Sequence, residues 1–257
     1  CESDMFLVPD VGTYRVLPWS RPDRLRARLI CDVYGPDGEP FKGDPRSVLK
    51  RVIAQVEAKG YRYFCGPELE FFMFNQNGDS NTRPVPNDVG GYFDFSPRDN
   101  AQVVRSDIVK ALNEMGMGVE ASHHEVAAGQ HEIDFEYADA VTAADYAVSF
   151  KYTVKAIAAQ HGLVASFMPK PIFGINGSGM HTHQSLFQEG QNAIELAGYP
   201  AHRIEEYTEA VKKYYPTAEG FQQAGFMMMS DQQWSEAVRF FVGQVQLEVG
   251  GEQGDII

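Results

Sequence analysis

Carboxylates and imidazoles gather in three short stretches of this chain. Ser122-His-His-Glu-Val-Ala-Ala-Gly-Gln-His-Glu-Ile-Asp134 sets three imidazoles and two glutamates around Gly129. Upstream lies Gly66-Pro-Glu-Leu-Glu-Phe-Phe72, and downstream Lys170-Pro-Ile-Phe-Gly-Ile-Asn-Gly-Ser-Gly-Met-His-Thr-His-Gln-Ser185. Glu68 and Glu70 stand two apart in a strand-like run, so they share one face. Two carboxylates side by side repel, and burying them without a cation is expensive, so they call for a metal or an arginine. Phe71, Phe72 and Phe74 follow at once, which marks a strand buried on at least one side.

In the central stretch His123 and Glu125 share a face, Gly129 permits a chain reversal, and Gln130, Glu132 and Asp134 alternate on the return strand. A hairpin of that kind brings Glu125 and Glu132 together. His181 and His183 are again two apart in a strand-like run. Four carboxylates with few imidazoles favour a hard, oxygen-seeking ion, Mg²⁺ or Mn²⁺, over zinc. The glycines of Gly174-Ile-Asn-Gly-Ser-Gly179 let backbone N–H groups approach a phosphate or carboxylate. This is neither a P-loop nor a Rossmann fingerprint: Gly-Lys-Ser/Thr is missing and a strand follows instead of a helix. Taken alone, it reads as a turn between strands.

The elements that must position these groups can be placed by periodicity. Tyr14–Trp19 and Leu25–Tyr34 alternate as strands, with Pro18 and Pro22 favouring an edge or loop. A first helix starts at Asp44 (N-cap) and Pro45 and stops at Gly60, with Val48, Leu49, Val52, Ile53 and Val56 as its apolar stripe. A strand covers Glu68–Phe74 and a loop 75–88. A second helix covers about 100–115 with Val104, Ile108 and Met115 inward, and a third about 142–161 with Tyr146, Phe150, Val154 and Ile157 on one face. Leu163–Met168 is a buried strand leading into the glycine-rich loop. Beyond Ala193, Arg203–Tyr215 reads as an amphipathic helix, and Trp234–Val249 as a helix or a helix–strand pair. The expected class is α+β: a curved, mostly antiparallel sheet that carries the ligands, with helices packed outside.

Composition narrows the chemistry further. Of 257 residues 44% are hydrophobic, enough for a sizeable core, and a net charge of −13 argues against nucleic acid as a partner. Three cysteines (Cys1, Cys31, Cys65) without a C-x-x-C pair fit a reducing, cytoplasmic setting. No apolar run approaches the ~20 residues of a membrane span, and no signal peptide is visible. Because the chain opens Cys-Glu-Ser-Asp without Met, an upstream segment is expected.

Together the three stretches resemble the catalytic domain of bacterial type I glutamine synthetase. The likeness runs from about Glu2 to Ala193 and includes Ser3-Asp4-Met5, Leu29-Ile-Cys-Asp32, Gly90-Gly-Tyr-Phe-Asp94 and Phe167-Met-Pro-Lys-Pro171. The resemblance implies an enzyme that joins ammonia to glutamate using ATP, through γ-glutamyl phosphate, at a site holding two divalent ions. Carried over by motif, Glu70, Glu125 and Glu132 match ligands of the first ion, and Glu68 and His181 ligands of the second. Asn176 and Gly177 match the segment that holds glutamate; Glu120, His183 and Ser185 match nucleotide contacts. The family forms stacked rings, which implies a homo-oligomer. Residues 1–19 match only the tail of the family's N-terminal β-grasp domain, 20–193 match the catalytic core, and 194–257 form an unmatched, mainly helical segment. That segment lacks the family's Asn-Ser-Tyr-Lys-Arg and Asn-Arg-Ser…Arg-Ile-Pro runs, and Ala128 stands where proline is usual. Two further readings stay open: a non-catalytic metal- and nucleotide-binding remnant, and a ligase of the same family that joins glutamate to another amine.

Overall fold

The computed structural model describes residues 4–76, 84–95 and 97–192. The helices expected in 203–215 and 234–249 lie outside the described residues. The chain divides into two compact units, one of residues 1–56 with 64–184, the other of 57–63 with 185–257. In the first unit, β1 (Phe6–Val16) and β2 (Ala27–Tyr34) form a two-stranded antiparallel sheet. Then come α1 (Pro45–Glu57), β3 (Arg62–Asn75), α2 (Gln102–Glu114), β4 (Val119–His124), β5 (Gln130–Phe135), β6 (Ala138–Asp139), α3 (Ala140–Gln160), β7 (Leu163–Ser166) and β8 (Met180–Gln188). β9 (Gln191–Asn192) closes a hairpin with the end of β8 in the second unit, through Glu189 and Gly190 at φ 52° and 81°. Two successive positive φ values are what a two-residue hairpin turn needs to match strand twist.

The main sheet of the first unit runs β4-β5-β3-β8, with β6 and β7 also on β3. β3 pairs antiparallel with β5, β6 and β7. This is the expected α+β architecture with an antiparallel sheet. Its two faces follow the period of two. Leu69, Phe71 and Met73 of β3, with Ile133 and Phe135 of β5, are buried against Ile108 and Leu112 of α2 and Phe150 and Val154 of α3. Glu68 and Glu70, with Gln130, Glu132 and Asp134, therefore occupy the other face. The strand begins earlier than expected and runs through Pro67. That proline falls between the Phe64–Cys65 pairing with β6 and the Leu69–Phe72 pairing with β5, so its missing N–H breaks neither ladder.

Helix ends follow local chemistry. Asp44 caps α1, its carboxylate accepting from the N–H groups of Arg46 (3.3 Å) and Ser47 (3.1 Å). The apolar stripe of α1 is only partly covered: Val48 and Val52 are exposed, and Ser47 is the buried residue of the helix. Charge fixes this helix instead. Arg46 reaches Asp10 of β1 (2.8 Å), Asp32 of β2 (2.7 Å) and both oxygens of Asp145 on α3 (2.9 and 2.8 Å). One guanidinium thus ties the small sheet, α1 and α3 together. α3 starts two residues earlier than its apolar period suggests, because the Asp139 carboxylate accepts from the Thr142 N–H. Asp139→Ala is expected to lower stability by about 1 kcal/mol in chemical denaturation. No described helix is long and apolar enough to cross a membrane.

Candidate metal and substrate site

The site is built across three adjacent strands. Glu70 of β3 lies directly opposite Glu132 of β5, which lies directly opposite His123 of β4. Like charges placed opposite one another destabilise a sheet, so the Glu70–Glu132 pair is unfavourable without a cation, while His123 partly offsets the Glu132 charge. Glu125 follows β4 and joins the row from the turn, where its N–H donates to the Gln130 carbonyl (2.8 Å). Gly129 makes that turn with φ 70°, and a side chain there would press on the Met73 carbonyl and Pro86.

The electrostatics record the crowding. Burial, then the neighbouring charges of Glu132 and Glu70, push the Glu125 carboxyl up to about 7, although the Val126 N–H opposes this. Burial and the charges of Glu132 and Glu68 push Asp134 up to about 7 as well. The buried Oε1 of Glu132 and Oδ1 of Asp134 have no hydrogen-bond partner among the described residues. His123 is raised above its ordinary value by its bond to Glu132 (3.2 Å), against its own burial. The Phe93 ring stacks on His123 with centroids 4.7 Å apart, and the Phe93 N–H donates to the His124 carbonyl (3.0 Å). Those contacts hold Phe93 at φ 56°, a costly conformation for a bulky residue.

Two sets of donor atoms come within 4.8 Å of one another on this face: His123 with Glu125 and Glu132, and Glu68 with Glu132 and His181. Glu132 belongs to both; Glu70, expected to share an ion with Glu125 and Glu132, falls in neither, and His123 stands with them instead. Glu68 also meets His183 Nε2 (2.8 Å) and His181 Nδ1 (3.3 Å). Glu70 directs Oε2 to the Gly179 N–H (3.0 Å) and to the Gln130 amide. A mainly carboxylate set with an unpaired buried oxygen suits a hard divalent ion and fits poorly with a zinc site of several His or Cys ligands.

Beneath the row is a buried polar layer. His124 donates to the Glu125 carbonyl (2.6 Å) and to Asp88 Oδ1 (2.9 Å). Both ring nitrogens face acceptors, so the imidazole is held protonated: burial works against this, but the bond to Asp88 wins and raises its pKa. Burial alone would raise the Asp88 carboxyl, yet His124 and the Gly129 N–H hold it down at about 2. His131 is the opposite case. Burial and the Arg105 charge hold it well below the ordinary value. Arg105 can only donate, so Nδ1 of His131 accepts (3.0 Å) and its proton sits on Nε2, facing Asn87 (3.3 Å).

The structure brings Glu68, Glu70, Glu125, Glu132, His181 and His183 to one face. Gly177 joins them through its carbonyl, which accepts from Gln130 (2.9 Å). Asn176 is exposed in the same loop. Glu120 is exposed where the β4–β5 register shifts between Val119 and Ala121; a bulge of this kind re-aims one side chain. Ser185 is half-buried in the second unit. Gln130, Asp134 and His123 were visible in the sequence only as alternating positions without a role. Strand parity was the signal for them, since each falls on the face of Glu132.

These pKa shifts set a pH dependence. Glu125 and Asp134 rise on folding from ordinary values of 4.5 and 3.8. Their protonated forms therefore favour the folded state, and that contribution is full below those ordinary values and lost as pH climbs through about 7. The raised His123 and His124 act in the same sense, and His131 in the opposite one. Metal-free protein is expected to melt at a lower temperature at about pH 7.5 than at about pH 5.5. With Mn²⁺ the order reverses, because deprotonated carboxylates bind the ion. Melting curves with chelator and with Mn²⁺ check this.

The family description "Glutamine synthetase, catalytic domain" matches residues 42–212, past the Ala193 limit set by motifs. Glutamine synthetase from Methanosarcina mazei is 55% identical over 193 residues, covering 75% of this chain and 43% of its own length. That from Clostridium saccharobutylicum is also 55% identical, over 75% and 44%. The chain thus spans less than half the length of these curated relatives. A cryo-electron-microscopy structure of Plasmodium falciparum glutamine synthetase superposes with a TM-score of 0.69 at 25% identity, covering 85% of this chain and 49% of that one. With the family description matching well over half of its residues, the chain belongs to the glutamine synthetase family, in its catalytic domain.

Proposed function

We propose that this chain carries the metal-binding half of a site for ATP-dependent ligation of ammonia to glutamate. The observation that carries the reading is the Glu70–Glu132 pair with Glu125 packed against it, three carboxylates that a divalent cation would relieve. In this reading Glu70, Glu125 and Glu132 hold the first ion, Mg²⁺ or Mn²⁺. Glu68 and His181 hold a second, with Glu132 between them. Bound ions would supply positive charge where the ATP phosphates meet the γ-carboxylate of glutamate. Asn176 and Gly177 hold glutamate, and Glu120, His183 and Ser185 contact the nucleotide. The γ-carboxylate oxygen bonds to the terminal phosphorus of ATP as ADP leaves. Ammonia then bonds to the acyl carbon, phosphate departs, and a proton is lost from nitrogen. The assembly is a homo-oligomer working in the cytoplasm.

The test is phosphate release with glutamate, ammonia, ATP and Mg²⁺ or Mn²⁺. Turnover that Glu132→Ala abolishes supports the ligase. Metal-dependent nucleotide binding without turnover supports a non-catalytic remnant, and turnover with an alkylamine but not ammonia supports an amine ligase. A chain that binds no divalent ion sinks all three.

A further inference from the structure

Gln130 is almost fully buried, and each polar atom of its side chain has a partner in a different part of the site. Its Oε1 accepts from the Ala127 N–H (3.1 Å), closing the turn between Glu125 and Glu132. A backbone N–H can only donate, so this contact fixes which end of the amide is oxygen. Nε2 therefore faces two acceptors, Glu70 Oε2 and the Gly177 carbonyl (2.9 Å). The peptide joining Gly177 to Ser178 is gripped from both sides: its oxygen by Gln130, its N–H by the Pro169 carbonyl (2.9 Å). The next N–H, of Gly179, goes straight to Glu70 Oε2 (3.0 Å). Glu70 thus holds the glycine-rich loop by two routes, one direct and one relayed.

We infer that Gln130 is a positioning residue that transmits the fixing of Glu70 to the peptide between Gly177 and Ser178, the segment read above as holding substrate. The inference rests on the reading of Glu70 as a metal ligand. When Glu70 is free, its carboxylate can rotate and release both Gly179 and Gln130. A cation held by Glu70 would fix its carboxylate, and with it the Gln130 amide and the Gly177 carbonyl that Oε2 reaches. Binding of the ion then orders the substrate segment before substrate arrives, and by linkage substrate tightens the ion. Gln130 needs its full length and both ends of its amide for this, since Oε1 anchors it to the turn while Nε2 spans two acceptors.

The test reads amide exchange at single residues in the full chain, with and without Mg²⁺. In the natural sequence Mg²⁺ is expected to slow exchange at both Ser178 and Gly179 by about tenfold, the scale of one hydrogen bond to a charged group. In Gln130→Met the Gly179 response remains, because its route to Glu70 is direct, while the Ser178 response falls below about twofold. A generally loosened fold would lose both. Gln130→Glu keeps the Ala127 contact, and so the turn, but sets an oxygen against Glu70 and Gly177; Ser178 should exchange fast with or without Mg²⁺. A Ser178 response that survives in either variant overturns the relay. A natural chain in which Gly179 ignores Mg²⁺ overturns the metal assignment and the relay with it.

Discussion

Glu132→Gln is expected to lower Mn²⁺ affinity by more than about 100-fold while raising the melting temperature of the metal-free protein. The affinity loss follows from its place in both candidate donor sets; hydrogen-bond partners behind metal ligands are by themselves worth about 10–100-fold, and this residue faces the ion. The gain in stability has a separate origin. Glu132 lies directly opposite Glu70, its charge contributes to the raised Glu125 pKa, and its Oε1 is buried without a partner among the described residues. Glutamine removes the charge facing Glu70 and Glu125 and offers N–H donors to them, while its amide oxygen can still accept from His123 Nε2 in place of the carboxylate, for a net gain of about 0.5–1 kcal/mol. Titration calorimetry and melting curves with chelator should thus move in opposite senses. Glu114→Gln, exposed at the end of α2, should move neither. A Glu132→Gln protein that melts lower without metal would mean that the row is not strained.

Arg105→Met is expected to produce the largest loss of stability, about 3–5 kcal/mol, the cost of stripping the partner from a buried ion pair. Arg105 meets Asp99 through both terminal nitrogens (3.0 and 2.6 Å), and both side chains are nearly inaccessible, 7% and 1% exposed. Asp99 also accepts from the Ala101 N–H (3.0 Å), so it cannot move out to water without disturbing the start of α2. The same arginine fixes the proton of His131 on Nε2. Its loss would let His131 take up a proton beside the row, and Mn²⁺ affinity should fall as well. Chemical denaturation measures the first effect. Pairing Arg105→Met with Asp99→Leu should recover much of it, because an apolar pair of similar size needs no desolvation.

The sequence is most informative where one strand has one job. Period-two alternation places Glu68 and Glu70 on one face of β3 and Leu69, Phe71 and Met73 on the other. The glycine at 129 announces its turn because no other residue fits there. Helix stripes at Val104 and Ile108, and at Phe150 and Val154, point to core positions that are buried. What stays hidden are partnerships between residues far apart in the chain. Nothing near Asp88 indicates that it holds His124 and the Gly129 amide, and nothing near Arg46 that three aspartates converge on it. Gln130 has the parity of a site residue, but its two acceptors come from positions 60 and 47 residues away. α1 misleads for a related reason: its stripe is regular, while the forces that hold it are ionic.

The opposed faces of β3 and β5 also bear on how the hairpin finds its alignment. If β5 slid one residue along β3, Glu132 and Gln130 would turn toward Phe150 and Val154, while Ile133 and Phe135 would turn toward the carboxylates. Each displaced charge would meet an apolar wall and each displaced ring would lose its cover, so misaligned pairings are rejected from both sides at once. The charged row that weakens the metal-free protein is therefore also a proofreading device for its assembly. Variants that neutralise it should be more stable yet more prone to slipped, slowly correcting intermediates during refolding.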